Sequence, residues 1–412
     1  MATTYGIYIH IPFCKSKCDY CDSYSLAGRE EEMDHYQKAL IAQLRSFAPR
    51  LKGRVADTIY FGGGTPSYYG EKRLRELLVL IQRVFTVSRQ AEITVECNPD
   101  SVRRKELRML RKEGVNRLSI GAQSANDDIL RLIGRRHNWR QVEMAVKRAR
   151  KAGFRNVSLD LIYGLPSQTR EDWADTLAKA LALKPAHISC YGLRLEEGTP
   201  MYDEYEGADI LPSDDDQADM YLYAVDFLSR HGFRQYEISN FARPGYESRH
   251  NLKYWRLDDY IGFGAAAASN IGLLRYTYTH NVRKYISGVL GDKDIIAEQE
   301  ELTPFDRASE YLMLGMRTAG GISREEYMSV YQSSFDKLEE MLEVFEENGW
   351  AVCDNGRWHF TPGGFLVSNV LIGVLLESQT KEKFNANPWI REAFEAKGQK
   401  VPLPTASEPY MN

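Results

Sequence analysis

Three of the chain's six cysteines, Cys14, Cys18 and Cys21, fall within eight positions in the stretch FCKSKCDYCDSYS. Thiolates are soft ligands that suit zinc and iron–sulfur clusters. Structural zinc takes four protein ligands, commonly as two pairs, and no second cysteine pair exists in this sequence. Three thiolates on one loop can instead hold three irons of a [4Fe–4S] cube. The fourth iron is then open to a small chelating ligand. Cys97, Cys190 and Cys353 stand alone and read as small apolar groups.

A second set of residues punctuates the ends of apolar runs. FGGGTPS contains Gly63, Gly64 and Thr65. Glycines there let backbone approach a ligand, and free amides can hold a carboxylate. A tight turn is the plainer reading of such a run. Glu96 in VECNPD, Gln123 in IGAQS, Arg135 in GRRH and Asp160 in LDLIYGLP also sit at or just beyond such ends. A polar side chain is costly to bury there without a partner, although a helix cap or an ion pair would satisfy one. His250 by itself reads as a loop or core histidine, and no other histidine has metal-ligand spacing.

The elements that must position these residues alternate. Apolar runs at 5–11, 57–64, 91–96, 116–123, 156–164 and 187–193 read as strands, with helical periodicity between them, as at 139–152 and 171–183. About six strand–helix rounds mean a parallel sheet with crossover helices, either an open α/β sheet or an incomplete (β/α) barrel. Both architectures carry chemistry at the C-terminal ends of strands. Ser213 reads as a helix cap three residues before Asp216. QYEISNF at 235–241 reads as one more strand, and a loop-rich connecting segment follows. From Pro304 the pattern turns helical, with Leu338, Leu342 and Phe345 on one face. A hairpin closes it, WAVCD and RWHF joined by Asn355-Gly356, and helices ending in a hairpin resemble a winged-helix module. The expected divisions are 1–235, 236–303, 304–377 and a polar, partly disordered tail at 378–412.

Bulk properties narrow the classes. A chain of 412 residues with 43% hydrophobic content can bury cores for two or three domains. A net charge of −4 announces no basic face, so no nucleic-acid partner is expected. The N-terminus lacks a basic region followed by an apolar run, which argues against a signal peptide. No 18-residue apolar stretch exists, so no membrane span is expected. Sparse cysteines fit a reducing, cytoplasmic setting.

CxxxCxxC after an N-terminal strand, in a repeated β/α chain, resembles the radical S-adenosylmethionine (SAM) proteins. In that family the methionyl amine and carboxylate of SAM chelate the fourth iron. The resemblance implies a [4Fe–4S] cluster on Cys14, Cys18 and Cys21, and an incomplete (β/α)6 barrel. It implies SAM contacts from Tyr8, Tyr20, Gly63, Gly64, Thr65, Glu96, Gln123, Arg135 and Asp160, with Tyr20 beside the adenine. The matches YIHIPFC, GGGTPS, RLSIGAQS, DLIYGLPSQ, YEISNFARPGYESRHNLKYW and DYIGFGAAAAS cover roughly residues 5–270. They are similar to the anaerobic coproporphyrinogen III oxidase family, and within it to the HemW-type heme chaperones. EYLMLGMRT and FTPGGFLVSN resemble that family's C-terminal domain.

Carrier or enzyme turns on small differences. Oxidases of the family resemble CxxxCxFCxC, with a further cysteine where this chain has Ser23. The chaperones resemble CxYCDF, which Asp22 fits and Ser23 does not. RHNLKYW matches the chaperones' heme-linked H-N-x-x-Y-W, which implies heme contacts from His250, Tyr254 and Trp255. Ala268 stands where the family carries a histidine. The expectation is a heme carrier that delivers to acceptor hemoproteins, respiratory or membrane-associated ones included. A flavodoxin or ferredoxin would be the electron donor, and a homodimer is compatible. The alternatives are the oxidase, which converts two propionates to vinyl groups, and a related radical methyltransferase or cyclopropanase.

Overall fold

The structure is a computed structural model that describes residues 3–386. β1 (Thr4–Ile11), β2 (Val55–Gly63), β3 (Val87–Cys97), β4 (Arg117–Gln123), β5 (Asn156–Tyr163) and β6 (His187–Gly192) lie side by side in chain order. Every neighbouring pair among them is parallel. This is the incomplete (β/α)6 barrel of the sequence reading.

Side-chain alternation divides each strand into two faces. Ile7, Ile9 and Ile11 of β1, Ile59 and Phe61 of β2, and Leu118 and Ile120 of β4 are buried in one apolar core. Leu40, Leu77 and Val142, from the helices Met33–Phe47, Glu71–Val84 and Trp139–Ala152, belong to the same core. The alternate positions are polar. Tyr60, Glu96, Ser119, Asp160 and Ser189 line the interior of the sheet. Crossover helices begin at side-chain caps, as at Asn138 with Gln141 and Thr169 with Asp172. Ser213 caps the helix Asp214–Arg230 by accepting from the Asp216 amide, as expected.

The structure differs from the sequence reading after β6. QYEISNF is split into Arg234–Glu237 and Asn240–Ala242. Asn240–Ala242 runs antiparallel to β6. The segment read as loop-rich supplies four strands, Tyr260–Phe263, Ala268–Ile271, Leu274–Tyr278 and Ile296–Glu301. Tyr260–Phe263 pairs in parallel with β1, and the other three extend the sheet antiparallel. Their composition hid them. Gly and Ala dominate 262–268, and Ile296–Glu301 is wholly exposed and acidic.

Two compact units emerge. One contains the chain up to Arg234 with Ser239–Tyr254 and Asp258–Glu301. The other contains Gln235–Ile238, Trp255–Leu257 and the described chain from Leu302 onward. In this second unit the helices Pro304–Gly315, Arg324–Tyr331 and Asp336–Glu347 accompany a three-stranded sheet. Ile322–Ser323 pairs with Arg357–Phe360, which pairs with Ala351–Asp354, in a winged-helix-like arrangement. Leu338, Leu342 and Phe345 are buried, as their spacing predicts. Cys353 is exposed on its strand, so it is not the packed apolar group expected. The helix Ser368–Ala386 runs past the expected start of the polar tail. Residues 387–412 of that tail lie outside the described residues. No helix among the described residues is long and apolar enough to cross a membrane.

Candidate cluster and cofactor site

The cysteine loop leaves the end of β1 and rejoins the fold through a short parallel ladder, Phe13–Cys14 against Leu26–Ala27. The glycine run at the end of β2 braces it. The amide of Gly64 donates to Ile11 O (2.8 Å) and that of Thr65 to Phe13 O (2.9 Å). A Cβ on Gly64 would lie 3.0 Å from Ile11 O, Phe13 N and Phe13 O, so no other residue fits without displacing the loop. These amides, and that of Gly63, which donates to Glu96, are therefore not free for a carboxylate. Only carbonyl oxygens remain to meet a ligand, and those suit an ammonium group.

Cys14, Cys18 and Cys21 all line one cavity of about 320 Å³ at the C-terminal ends of the strands. Thr65 Oγ1 lies 3.3 Å from Cys14 Sγ, and Arg135 Nη1 donates to Cys18 Sγ at 3.3 Å. Burial pushes the Cys21 thiol up, against hydrogen bonds from the Ser23 backbone and hydroxyl. Among the described residues no three Cys, His, Asp or Glu side chains converge on the position of one metal ion. A cube spreads its thiolates over separate irons and does not require that convergence.

Opposite the cysteines stand two carboxylates. Burial, with the nearby Asp160, pushes the Glu96 carboxyl up to about 7, although Tyr60 donates to its Oε1 at 2.7 Å. Asp160 accepts from Ser119 (2.9 Å), Ser158 (3.1 Å) and Ser189 (2.8 Å), and burial still raises it. Gln123 closes β4 with φ 57°, a strained backbone for a residue with a side chain, and its Oε1 is buried without a partner. Arg135 is fixed by Asn98 Oδ1 and Gly121 O, each 3.0 Å from Nη2. Tyr20 reaches the same cavity and packs beside Ile162 and Leu130, and burial holds its hydroxyl neutral.

Not every expected residue is there. Tyr8 does not line the cavity. Its hydroxyl meets His10 Nδ1 at 3.0 Å, and its ring packs near Tyr60 and His250. His250 is fully buried inside the barrel with both ring nitrogens engaged. Tyr254 and Trp255 complete the same helix, Arg249–Trp255. Ala268 lies on a half-buried strand opposite Thr277. Sequence reasoning missed Tyr60, Asn98, Ser119 and Ser189. Period-two alternation signals Tyr60, Ser119 and Ser189, whereas Asn98 has no signal outside the fold.

Residues 8–180 match the radical SAM superfamily, and residues 302–367 match the HemN C-terminal domain. The chain is 37% identical to the heme chaperone HemW of Lactococcus lactis, over 88% of this chain and 94% of that one. It is 36% identical to HemW of Bacillus subtilis, over 90% and 98% of the two chains. The chain belongs to the HemW family. Membership extends across both matched regions, and HemW of Escherichia coli aligns at 33% identity over 90% of this chain. Among solved structures, coproporphyrinogen III oxidase (HemN) from Escherichia coli superposes with TM-score 0.79. That likeness covers 91% of this chain and 90% of the other at 24% identity, and it shows a shared fold.

The radical SAM family implies a [4Fe–4S] cluster and SAM, and this HemW-family chain carries residues that fit both. Three thiols on one braced loop supply the soft donors for the cluster. Two enclosed carboxylates, with the buried Arg117 guanidinium acting on both, an unpartnered amide oxygen and the glycine cradle fit a small ligand carrying an amino group and other polar groups.

Proposed function

We propose that this chain is a cytoplasmic heme chaperone that holds a [4Fe–4S] cluster and SAM and delivers heme to hemoproteins. The observation that carries the reading is identity at 37% and 36% to heme chaperones along nearly their whole length. Cys14, Cys18 and Cys21 would hold the cluster, which supplies an open iron for SAM and a source of one electron. Glu96 offers a carboxylate to a cationic group of SAM. Asp160 and Gln123 offer acceptors to its hydroxyl and amino groups, and Tyr20 offers a flat face for the adenine. Arg135, fixed on Cys18 and Asn98, holds positive charge beside the thiolates.

The cavity itself is small, about 320 Å³, and carries both polar and apolar lining, which suits SAM more than a large flat macrocycle. Heme is the cargo and acceptor hemoproteins, respiratory ones included, are the partners in this reading. An iron bond at His250 would require its contacts to Thr58 and Tyr254 to break. Heme titration of the cluster-reconstituted protein, wild type against His250→Ala, tests both points. Saturable heme binding by wild type supports the carrier. Production of protoporphyrinogen from coproporphyrinogen under anaerobic reducing conditions, with no heme binding, would replace it with the oxidase.

A further inference from the structure

The cysteine loop has an outer side as well as a cavity side. Cys18 lines the large cavity and also a second, much smaller cleft. Ser16, Asn98 and Arg135 line both as well, so these four residues form the wall between them. Arg135 is fixed in that wall by Cys18 Sγ (3.3 Å) and by Asn98 Oδ1 and Gly121 O (3.0 Å each). The cleft holds about 20 Å³, room for a single water. No metabolite enters a space of that size. Only a surface laid across it can use this approach to the cysteines.

The rim of the cleft is cationic. Lys15 and Arg136 line it, and Lys17 follows on the cysteine loop. Arg104 and Arg140 stand in the first turns of the helices Arg104–Lys112 and Trp139–Ala152, which follow β3 and β4. All five are exposed, and none has an ion-pair partner among the described residues. Cations in a first turn work against the helix dipole, so helix stability does not account for Arg104 and Arg140. Several neighbouring carboxylates are already engaged. Asp128 pairs with Arg131, Glu106 with Arg103 (3.7 Å), and Asp127 Oδ1 accepts from the Trp139 amide (2.8 Å). Asp19, Asp22 and Asp100 remain on this side, fewer than the cations, in a chain whose net charge is −4.

We propose that this rim is the docking surface for an acidic protein that carries one electron, and that the electron enters the cluster beside Cys18 and Arg135. The inference rests on the cluster reading of the three cysteines. The carrier loses one electron and the cluster gains it, with no bond made or broken at this step. Tunnelling falls off steeply with distance, so the carrier must bring its own redox group close to the thiolates. SAM would cover the cavity side, which leaves the outer cleft as the approach. A positive rim draws an acidic partner, and the Arg135 charge favours the cluster once it has gained negative charge.

The test uses the full chain with its cluster reconstituted and SAM bound. Reduction is followed as loss of the cluster's visible absorption after mixing with a reduced plant-type ferredoxin, an acidic carrier. Reduced methyl viologen, a small cation that needs no docking surface, is the control. Binding of oxidised ferredoxin is measured separately by calorimetry, a readout independent of electron transfer. Steering by charge raises association rates by roughly 10- to 1,000-fold. Lys15→Glu combined with Arg136→Glu should therefore slow reduction by ferredoxin roughly 10-fold or more at low salt and weaken its binding. Reduction by methyl viologen should not slow. Lys15→Arg combined with Arg136→Lys keeps the charge and should behave as wild type. Added salt should slow reduction of the wild type by ferredoxin. A wild-type rate that ignores salt overturns the proposal, even where the charge-reversed variant does not fold. Unchanged ferredoxin rate and affinity in that variant overturn it too, as does equal slowing with both reductants. Lost self-association with ferredoxin reduction intact would make the rim an interface between copies of this chain and overturn the docking proposal. A wild type that takes up no cluster overturns the reading beneath it.

Discussion

Glu96 is the cavity carboxylate poised to change charge near neutral pH, with Asp160 and Arg117 acting on it from the same lining. Its carboxyl titrates near 7 because burial and Asp160 oppose ionisation more than the Tyr60 hydroxyl favours it. A cationic ligand beside it would lower that value, so binding below pH 7 must release a proton. SAM affinity is therefore expected to rise as pH climbs through about 7 and to level off above it. Calorimetry in two buffers of different ionisation enthalpy measures the released proton directly, and Glu96→Gln should abolish both the release and the pH slope. The cysteines give a simpler expectation. Cys14→Ser, Cys18→Ser and Cys21→Ser should each fail to retain a full cluster, seen as loss of the visible absorption band and of bound iron, whereas Cys353→Ser on the exposed hairpin strand should retain both.

At the scale of elements, the glycine loop and the cysteine loop act as one unit. Gly64→Ala would press a methyl group against Ile11 O and against both the amide and the carbonyl of Phe13. Backbone cannot yield as a side-chain tip does, so a cost of about 1–3 kcal/mol is expected. Reduced iron content per chain at unchanged expression would show that the strain falls on the cluster loop. How much of this was legible follows from the same elements. The six barrel strands announce themselves because their outward residues are Ile, Val, Leu and Phe at period two. The glycine run, Glu96, Gln123 and Asp160 stand out as polar endings of those runs. The occupancy of the loop's amides did not, because Ile11 and Phe13 face Gly64 and Thr65 only in the folded chain. The strands between Tyr260 and Glu301 were hidden by glycine, alanine and glutamate. His250 was the hardest to place. Its partners Thr58 and Tyr60 lie almost two hundred positions away, and no local pattern links a histidine in a polar stretch to a barrel interior.

The whole molecule buries several histidines that stay neutral. His10 is pushed down to about 4, His137 and His250 to about 3, and His187 well below its ordinary value, in each case chiefly by burial. The unfolded chain binds these protons below about 6.5, whereas the folded barrel binds those of His10, His137 and His250 only near 4 or 3, and that of His187 well below 6.5. Stability from these groups is thus present above 6.5 and lost as pH falls toward 4. Glu96, raised by burial, acts in the opposite sense between about 4.5 and 7, and Asp160, also raised by burial, acts in that same sense, but two carboxyls oppose four imidazoles. The urea midpoint of the barrel unit should fall steadily from pH 7 to pH 4.5, and a flat or rising midpoint would contradict the neutral, buried assignment. The family match joins this barrel to a winged-helix-like unit in a protein whose relatives carry heme. A heme carrier must hand its cargo on, so transfer is what to measure. Cluster-reconstituted protein loaded with heme is mixed with an apo-hemoprotein, and the Soret band of each is followed over time. Saturable loading followed by appearance of the acceptor's holo spectrum is the predicted result. No saturable loading, together with decarboxylation of coproporphyrinogen by the same preparation, would contradict it.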